Sequence, residues 1–351
     1  MAHPEKLFLS LGIVVFALVL ASRTQAAETP RIYVSNEDSG EITVVEPPTG
    51  QILRRIHVGK RPRGIKLTLD GKLLYVALSG SPGASPGVDE STLPSPDRTA
   101  DGIGVVDVAT FKLLRTLPSG QDPEAFDLSP DGKTIFISNE ETAEVAVLDV
   151  ATGKLTQKVL VGREPEGVTV RPDGKVVYVT CEGDSEVVAI DTVTLKVVSH
   201  MHTEPRPRSV VFTKDGSTAF ATAERGAAVT VLDGIRHKTV GTITIPSVAG
   251  NLQPARPMGS VLAPDGSQIF VSNGRGGSVA VINVASHKVM RMIDNVGARP
   301  WGIGVSPDGR KIYTANGPSD DVSVINVETG RVEQRIKVGG RPWGLVVAPR
   351  P

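Results

Sequence analysis

The sequence predicts an all-β fold, a seven-bladed β-propeller of four-stranded antiparallel blades. Three observations predict it: a proline-containing step that recurs seven times, a series of strand signals after each step, and a final repeat that is divided between the two ends of the chain. We expect the propeller to span residues 27–351, after a signal peptide at residues 1–26.

The proline-containing step opens each repeat and reads Arg-Pro-x-Gly in its most regular copies. Successive prolines are 61, 42, 42, 50, 43 and 42 residues apart, and a period near 42 is typical of propeller blades. The seven steps occupy residues 61–64, 122–125, 164–167, 206–209, 256–259, 299–302 and 341–344.

Apolar, β-branched runs separated by turn residues follow each step. In the third repeat these runs cover residues 167–170, 176–180, 186–191 and 196–200, and a Pro-Asp-Gly turn joins the first two. Asp-Gly favours tight hairpin turns because glycine readily adopts a positive φ. Four such runs predict one antiparallel sheet, and no helical periodicity follows the N-terminal segment.

The last repeat contains only its first strand signal, at residues 344–348. Three strand signals without a first strand stand near the N-terminus, at residues 32–35, 41–45 and 52–58. We therefore expect the two ends of the chain to share the last blade. Such closure pairs the terminal strands and leaves no open sheet edge in the ring.

The N-terminal segment has the pattern of a secretory signal peptide. Lys6 precedes an apolar run over residues 7–21, and the small residues Ala26 and Ala27 offer a cleavage site. The run is shorter than the ~20 residues that span a bilayer, and the alternative is an uncleaved anchor helix. We expect a periplasmic or extracellular protein with no transmembrane segment after cleavage.

The charges of the chain are balanced, with 38 Lys plus Arg and 38 Asp plus Glu. Such a chain has no long-range attraction for nucleic acid, so we expect no partner of that class. The single cysteine, Cys181, excludes an internal disulfide, and we expect it to be a buried apolar residue. We expect a monomer whose partner is an unknown small molecule or another exported protein.

The second strand of most repeats carries a Tyr-Val-Thr-Asn-like motif. Copies stand at residues 33–36, 75–78, 136–139, 178–181, 270–273 and 313–316, and an Asp-x-x-Thr-Gly turn stands at 149–153. With these motifs the mature chain resembles the YVTN-repeat β-propeller family. The resemblance implies an exported bacterial or archaeal propeller. It further implies kinship with propellers associated with pyrroloquinoline-quinone-dependent catabolism, and more distantly with nitrite reductases and sugar lactonases. It carries over no catalytic residue.

The residue after each step proline is expected to reach the mouth of the central channel, because the loops that enter the first strands share one face of a propeller. These positions are Arg63, Glu124, Glu166, Arg208, Met258, Trp301 and Trp343. We predict a ligand site here, with aromatic rings that cover an apolar surface and arginines that hold carboxylates. The alternative is an Arg–Glu network that neutralises itself and stiffens the channel.

Two further features surround this predicted site. A second ring comes from the adjacent loops and is expected to form a solvated rim: Asn36, Glu37, Glu140, Glu182, Glu224, Arg225 and Arg275. An insertion rich in Ser, Pro and Gly covers residues 79–102. It is either a flexible surface loop or a functional element, and we expect its replacement by a short turn to leave stability nearly unchanged.

Metal and cofactor motifs are scarce. The histidines after the signal segment are His57, His200, His202, His237 and His287, and only His200 and His202 are close in sequence. The sequence holds no covalent haem motif, nucleophile elbow, phosphate loop or dinucleotide fingerprint. We therefore expect no metal and no cofactor, and the sequence identifies no catalytic residue.

Two classes of function fit these observations. The first is an exported binding or interaction module with its site at the channel mouth. The alternative is an enzyme at the same place, either a lactone hydrolase or an accessory of a quinoprotein dehydrogenase system. Lactonase propellers usually hold a divalent cation, for which the sequence offers Glu124, Glu166, Asn139 and Asn316.

Overall fold

The computed structural model describes residues 1, 30–83, 92–248, 250 and 253–348. Within these residues the chain forms 28 β-strands and three single-turn 3₁₀ helices, Arg98–Ala100, Gly274–Gly276 and Gly317–Ser319. The predicted signal peptide lies outside the described residues except for Met1. No helix of the described ranges has the length and apolar character needed to cross a bilayer.

The strands form seven antiparallel sheets of four strands, each of which is one blade, and this confirms the predicted fold class. From the innermost strand outward, blades 1 to 3 are β4 (Pro62–Leu67), β5 (Leu73–Leu78), β6 (Gly102–Asp107), β7 (Lys112–Leu117); β8 (Pro123–Leu128), β9 (Thr134–Asn139), β10 (Glu144–Asp149), β11 (Lys154–Leu160); and β12 (Pro165–Val170), β13 (Val176–Cys181), β14 (Glu186–Asp191), β15 (Lys196–His202).

In the same order, blades 4 to 6 are β16 (Pro207–Phe212), β17 (Thr218–Ala223), β18 (Ala228–Asp233), β19 (Lys238–Thr244); β20 (Pro257–Leu262), β21 (Gln268–Asn273), β22 (Ser278–Asn283), β23 (Lys288–Ile293); and β24 (Pro300–Val305), β25 (Lys311–Asn316), β26 (Asp321–Asn326), β27 (Val332–Lys337). Blade 7 is β28 (Pro342–Ala348), β1 (Arg31–Asn36), β2 (Glu41–Glu46) and β3 (Gln51–His57).

Blade 7 joins the two ends of the described chain, as the split repeat predicts. Its innermost strand β28 pairs antiparallel with β1, so that Arg31 lies opposite Ala348 and Ser35 lies opposite Gly344. Strand β28 also packs against β4 and β24, the innermost strands of the two neighbouring blades. The ring is therefore closed by main-chain hydrogen bonds and by packing on both sides.

The hydrophobic core lies between the blades rather than inside any one of them. Second and third strands are buried on both faces; in β13 every residue is buried. One cluster joins Tyr33 and Val44 of blade 7 to Leu74 and Val106 of blade 1. Because each blade covers its apolar faces only with its neighbours, the ring folds as one packed body.

The repeated step holds neighbouring blades close together at the channel. A Cβ atom added at Gly302 would lie 2.7 Å from the carbonyl oxygen of Trp343, the mouth residue of the next blade. Hydroxyl groups of the second strands donate to the main-chain carbonyls of mouth residues in the next blade. Ser138 donates to Glu166 O at 2.6 Å, and Ser272 donates to Trp301 O at 2.6 Å. Each of these blades thus fixes the main chain from which the next mouth side chain projects.

Candidate ligand site at the channel mouth

Six of the seven predicted mouth residues line one cavity of about 840 Å³: Arg63, Glu124, Glu166, Arg208, Trp301 and Trp343. Met258 is the exception. Its side chain is 1% exposed, it packs near Gly274, and it does not belong to the lining that the described residues form. The placement of the six agrees with the prediction, while the binding of a ligand by any of them stays a prediction.

In six of the seven repeats the residue before the step proline also faces the cavity, and the sequence analysis overlooked these residues; Arg256 is the exception and is not part of the described lining. Arg61, Asp122, Glu164, Arg206, Arg299 and Arg341 all line the mouth. Each has a left-handed backbone with φ between 40° and 63°. Residues other than glycine rarely adopt this conformation, and such residues cluster at functional sites. The repeated X-Pro pair was the signal that could have identified them.

Arg63 is the centre of the first buried ion-pair network. Its guanidinium pairs with Glu124 and lies 3.4 Å from the Glu37 carboxylate. Arg61 forms a second ion pair with Glu37, at 2.9 Å. Burial alone would raise the pKa of Glu37, but the charges of Arg63 and Arg61 outweigh burial and hold that pKa below its usual value. Glu37 is therefore a stable anion between two cations.

Arg208 is the centre of the second network. It pairs with Glu166 at 3.0 Å, with Glu224 at 2.8 Å and with Glu182, and Arg206 adds a 2.7 Å contact to Glu182. Burial raises the pKa of Glu166, helped by the nearby charge of Glu140 and opposed by Arg208. Burial acts in the same direction on the pKa of Glu224, but Arg208 and Arg206 prevail and lower it. Glu166 and Glu224 thus differ in proton affinity, because burial prevails at Glu166 whereas the arginine charges prevail at Glu224.

Two tryptophan rings form the aromatic part of the cavity wall. Trp301 and Trp343 occupy equivalent positions in consecutive blades, and their ring centroids lie 5.3 Å apart with planes inclined by 33°. The guanidinium carbons of Arg208 and Arg299 each lie 4.9 Å from the Trp301 ring centroid. Stacked guanidinium groups of this kind make favourable cation–π contacts.

The second ring is not the solvated rim that we expected. Glu37, Glu182 and Glu224 are buried, because each carboxylate is drawn inward by arginines of the repeated step. Asn36 is buried too and donates to Thr43 Oγ1 at 2.8 Å. The expectation was right for Arg225 and Arg275, which are exposed, whereas Glu140 is half-buried.

Carboxylate oxygens of Asp122, Glu124 and Glu140 lie within 4.8 Å of one another, a spacing compatible with a hard cation. Arg63 competes for this position, since it pairs with Glu124 and lies 3.9 Å from Glu140. Asn139 and Asn316, which the sequence offered as cation ligands, are fully buried, and their side-chain amides form hydrogen bonds within the protein. Asn139 donates to Ser119 O at 2.9 Å, and Asn316 donates to Asp321 at 2.8 Å. Neither belongs to the cavity lining as described.

Cys181 is buried, as expected, and burial raises the pKa of its thiol, so it is an unreactive apolar residue. The histidines lie away from the mouth: none belongs to its lining in the described part of the chain. His200 pairs with Glu186 at 2.8 Å, and His237 accepts or donates a 2.7 Å hydrogen bond with Tyr178.

The described parts of the insertion form one side of the cavity. Ser81, Pro82 and residues 93–96 are in its lining. Arg61 donates to Ser81 O at 2.6 Å, and Asp101 accepts from Gly80 N at 2.7 Å and from Asp122 N at 3.2 Å. These parts are therefore packed against blades 1 and 2 and are not the flexible surface loop that composition suggested. Residues 84–91 of the insertion lie outside the described residues.

Solved structures share this fold at low sequence identity. The periplasmic gluconolactonase of Pseudomonas aeruginosa is 20% identical over 92% of this chain and 99% of its own, with a TM-score of 0.74. Hydrazine synthase of Kuenenia stuttgartiensis is 22% identical over 82% of this chain and 86% of its own, with a TM-score of 0.64. These likenesses establish the fold alone. No curated protein sequence matches the chain.

Two family models match the sequence. A YNCE-like β-propeller model matches residues 87–175. The model described as lactonase, seven-bladed β-propeller, matches residues 165–342, which is just over half of the chain and covers blades 3 to 6. Both matches agree with the observed blades, and the chain belongs to the lactonase seven-bladed β-propeller family.

Proposed function

We propose that the channel mouth binds a small sugar-acid lactone and hydrolyses it to the open hydroxy acid. One observation carries the proposal: Glu166 is a buried carboxyl in the cavity wall whose pKa is raised by burial. A carboxyl with a raised pKa is suited to general acid–base chemistry near neutral pH. Support also comes from the family to which the chain belongs and from the gluconolactonase that shares its fold.

Lactone hydrolysis needs a base, a site for the developing oxyanion, and a proton for the leaving oxygen. In the proposed reaction the Glu166 carboxylate takes a proton from water as the water oxygen attacks the lactone carbonyl carbon. The tetrahedral intermediate then collapses, the ring C–O bond breaks, and Glu166 returns the proton to the departing oxygen. The product is a hydroxy acid, and no other reactant is consumed.

The neighbouring groups would assist this step. The Arg208 guanidinium, 3.0 Å from Glu166, supplies positive charge where an oxyanion would form. The rings of Trp301 and Trp343 offer an apolar surface to the C–H face of a sugar ring. Described parts of the insertion cover one side of the cavity and would reduce the access of bulk water.

The second candidate is a binding module without catalysis, the function that the sequence first suggested. It is favoured by the pairing of Glu124 with Arg63 and of Glu166 with Arg208, because a carboxylate that already accepts from an arginine has fewer lone pairs free for water or a substrate. Export to the periplasm or cell exterior is part of either proposal and comes from the N-terminal pattern. We also propose, from the sequence motifs alone, that the chain belongs to the YVTN-repeat group and acts beside a quinoprotein dehydrogenase.

The test is hydrolysis of a panel of five- and six-membered aldonolactones by the mature protein, followed as acid release above the spontaneous rate. Glu166→Gln should lower kcat by about 10²–10⁴-fold while the folded protein keeps its melting temperature. The control is Glu144→Gln, which removes a carboxylate that pairs with Lys158 at 3.1 Å outside the mouth and should leave kcat unchanged.

The pH profile gives a second readout. General-base action needs the ionised carboxyl, and the pKa of Glu166 lies above its ordinary value of 4.5. We therefore expect kcat/KM to fall, on acidification, at a pH clearly higher than 4.5. Full activity of Glu166→Gln would contradict its catalytic role. Quenching of tryptophan emission by lactones without hydrolysis would favour the binding module, and no response of either kind would contradict both.

A further inference from the structure

We propose that a second cavity beside the channel mouth, the side cavity, binds a sugar unit attached to the lactone. Its described lining consists of residues 37–40, 57, 59–61, 79–83, 94, 95, 97 and 341. The inference rests on the proposed function and names its substrate class: lactones of disaccharide acids. The lactone ring would lie at the mouth and the second sugar in the side cavity, so that the lactone is opened and the glycosidic bond stays intact.

The side cavity has a volume of about 780 Å³ and adjoins the mouth. Glu37, Arg61 and Ser81 are among the residues that line both cavities. The Arg61 guanidinium lies at their border, where it pairs with Glu37 and donates to Ser81 O at 2.6 Å. The lining loops join second to third strands or fourth to first strands, so both cavities open on the same face of the propeller. One ligand can therefore occupy both.

The size of the mouth argues for a ligand longer than one sugar. A hexonolactone has about twelve non-hydrogen atoms, and at the ~30 Å³ of a liquid water molecule for each it occupies under about 400 Å³. The mouth has a volume of about 840 Å³. One sugar lactone would therefore fill less than half of the mouth and none of the side cavity.

The lining of the side cavity indicates what kind of substituent it accepts. Its described residues include no Val, Leu, Ile, Met, Phe, Tyr or Trp, and most are glycine, serine or charged residues. An acyl chain or an aromatic group is stabilised mainly by apolar contact surface, which this lining does not offer. Sugar hydroxyls both donate and accept hydrogen bonds, so they suit serine, carboxylate and main-chain partners. The lining therefore favours a hydroxylated substituent.

The charges of the side cavity argue that this substituent is uncharged. Each of its cations has a carboxylate partner: Lys60 with Asp97 at 2.7 Å, Arg61 with Glu37 at 2.9 Å, and Arg341 with Asp38 at 3.8 Å. Cations and anions are therefore equal in number, and the cavity has no excess charge that would attract an ionic group. A neutral sugar can donate to the carboxylates and accept from the cations without disturbing this balance.

The experiment compares hydrolysis of glucono-1,5-lactone with that of cellobiono-1,5-lactone and maltobiono-1,5-lactone by the mature protein. KM for at least one disaccharide lactone should be about tenfold lower, the effect of one or two additional hydrogen bonds. The values of kcat should be similar, because contacts to the second sugar are equal in the ground and transition states. N-hexanoyl-homoserine lactone represents acyl-substituted lactones and should have a higher KM than the preferred disaccharide lactone.

The first variant is Gly83→Leu. Among the described residues, a Cβ atom added at Gly83 would meet only Arg61, whose Nε lies at 3.7 Å, so leucine there would project toward the border between the cavities. The tenfold preference for the disaccharide lactone should fall to about twofold or less, because the second sugar would clash with the added side chain.

The second variant is His57→Ala, with His202→Ala as the matched control. His57 belongs to the side cavity and not to the mouth lining as described, so the preference should fall about two- to tenfold through KM of the disaccharide lactone. His202, like His57, is the exposed last residue of an outermost strand, but it lies outside both described linings. His202→Ala should keep the wild-type preference.

A KM of both disaccharide lactones equal to or above that of glucono-1,5-lactone would overturn the proposal, and so would a lower KM for the acyl lactone. An undiminished preference in folded Gly83→Leu would also overturn it; if this variant does not fold, His57→Ala decides in the same way. If no lactone is hydrolysed, the proposed function fails, and binding of the alditols cellobiitol and glucitol, read by tryptophan emission, tests the side cavity alone. Tighter binding of cellobiitol that is lost in His57→Ala would support the inference, and equal or absent binding would overturn it.

Discussion

The glycine of the repeated step limits how closely neighbouring blades approach at the channel. Cβ atoms added at Gly259 and Gly302 would lie 2.6 and 2.7 Å from the carbonyl oxygens of Trp301 and Trp343. Distances this short require a main-chain shift, because both partners are backbone atoms. Ser209 shows how another residue is accommodated at this position: its hydroxyl donates to the Met258 carbonyl at 2.9 Å.

We expect Gly302→Ala to lower the free energy of unfolding by about 1–3 kcal/mol, the usual cost of an extra methyl group in a packed region. The added Cβ would also lie 2.9 Å from the Gly344 Cα, so blade 7 must move relative to blade 6. Because Trp343 lies at that contact, its emission maximum should shift. Urea denaturation and intrinsic fluorescence measure the two effects.

Gly241→Ala is the matched control for this change. Gly241 lies in the outermost strand β19, and nothing lies within 4 Å of a Cβ atom added there. Alanine at such a site should leave stability unchanged or raise it by a few tenths of a kcal/mol. Equal stability of Gly302→Ala and the wild type would show that the blades are not in close contact at the step.

At the scale of elements, the insertion departs most from what composition suggested. Its Ser, Pro and Gly content is typical of a flexible loop, one of the two alternatives for this segment, but the side chain of Asp101 is buried and accepts hydrogen bonds from Gly80 N and Asp122 N. Arg98 pairs with Glu141 of blade 2 and donates to Ser81 Oγ at 3.0 Å. The contacts with Asp122 and Glu141 join the insertion to blade 2, and those with Gly80 and Ser81 hold its two ends together. A short turn would supply none of these contacts.

We therefore expect replacement of residues 80–101 by a Gly-Ser turn to destabilise the protein, contrary to the composition-based expectation. The N–H of Asp122, a buried residue that the replacement keeps, would lose the Asp101 carboxylate, at about 1–3 kcal/mol for an unsatisfied buried group. The melting temperature measures the change, and Asp101→Ala should reproduce most of it. An unchanged melting temperature in both would restore the interpretation as a dispensable loop.

At the scale of the whole molecule, stability depends on the closed ring. Core clusters combine residues of adjacent blades, and the cluster that joins blades 6 and 7 includes Val34, Tyr313 and Leu345. Strand β28 contributes Leu345, pairs with β1 and packs against β4 and β24. Removal of β28 would therefore expose one strand edge and two blade faces at once.

We expect deletion of residues 342–351 to abolish the single cooperative unfolding transition. The deleted chain should bind a hydrophobic dye and aggregate, because the β1 edge and the facing surfaces of blades 1 and 6 become exposed. Deletion of residues 349–351 alone keeps β28 and is the control. A soluble 342–351 deletion with the wild-type unfolding midpoint would contradict closure through blade 7.

The sequence predicts the parts of this molecule that depend on local repetition. Each step proline fixes where a first strand begins, and this placed Glu166 and Trp343 at the mouth. It does not predict which side chains form ion pairs, because Arg206 and Arg299 both precede a step proline, yet of these two described residues only Arg206 pairs with carboxylates. Met258 occupies an equivalent position but turns inward, since an unbranched apolar side chain gains more from packing than from water.

The pairing of β1 with β28 has a practical consequence for tethering the protein. Asn36 and Pro342 lie at the mouth end of these strands, and Arg31 and Ala348 lie opposite each other at the far end. A strand of six or seven residues spans about 20 Å, so a linker joined beyond either Arg31 or Ala348 leaves from the face away from the mouth. Immobilised through a linker attached directly at Arg31 or at Ala348, the propeller would present its channel mouth outward.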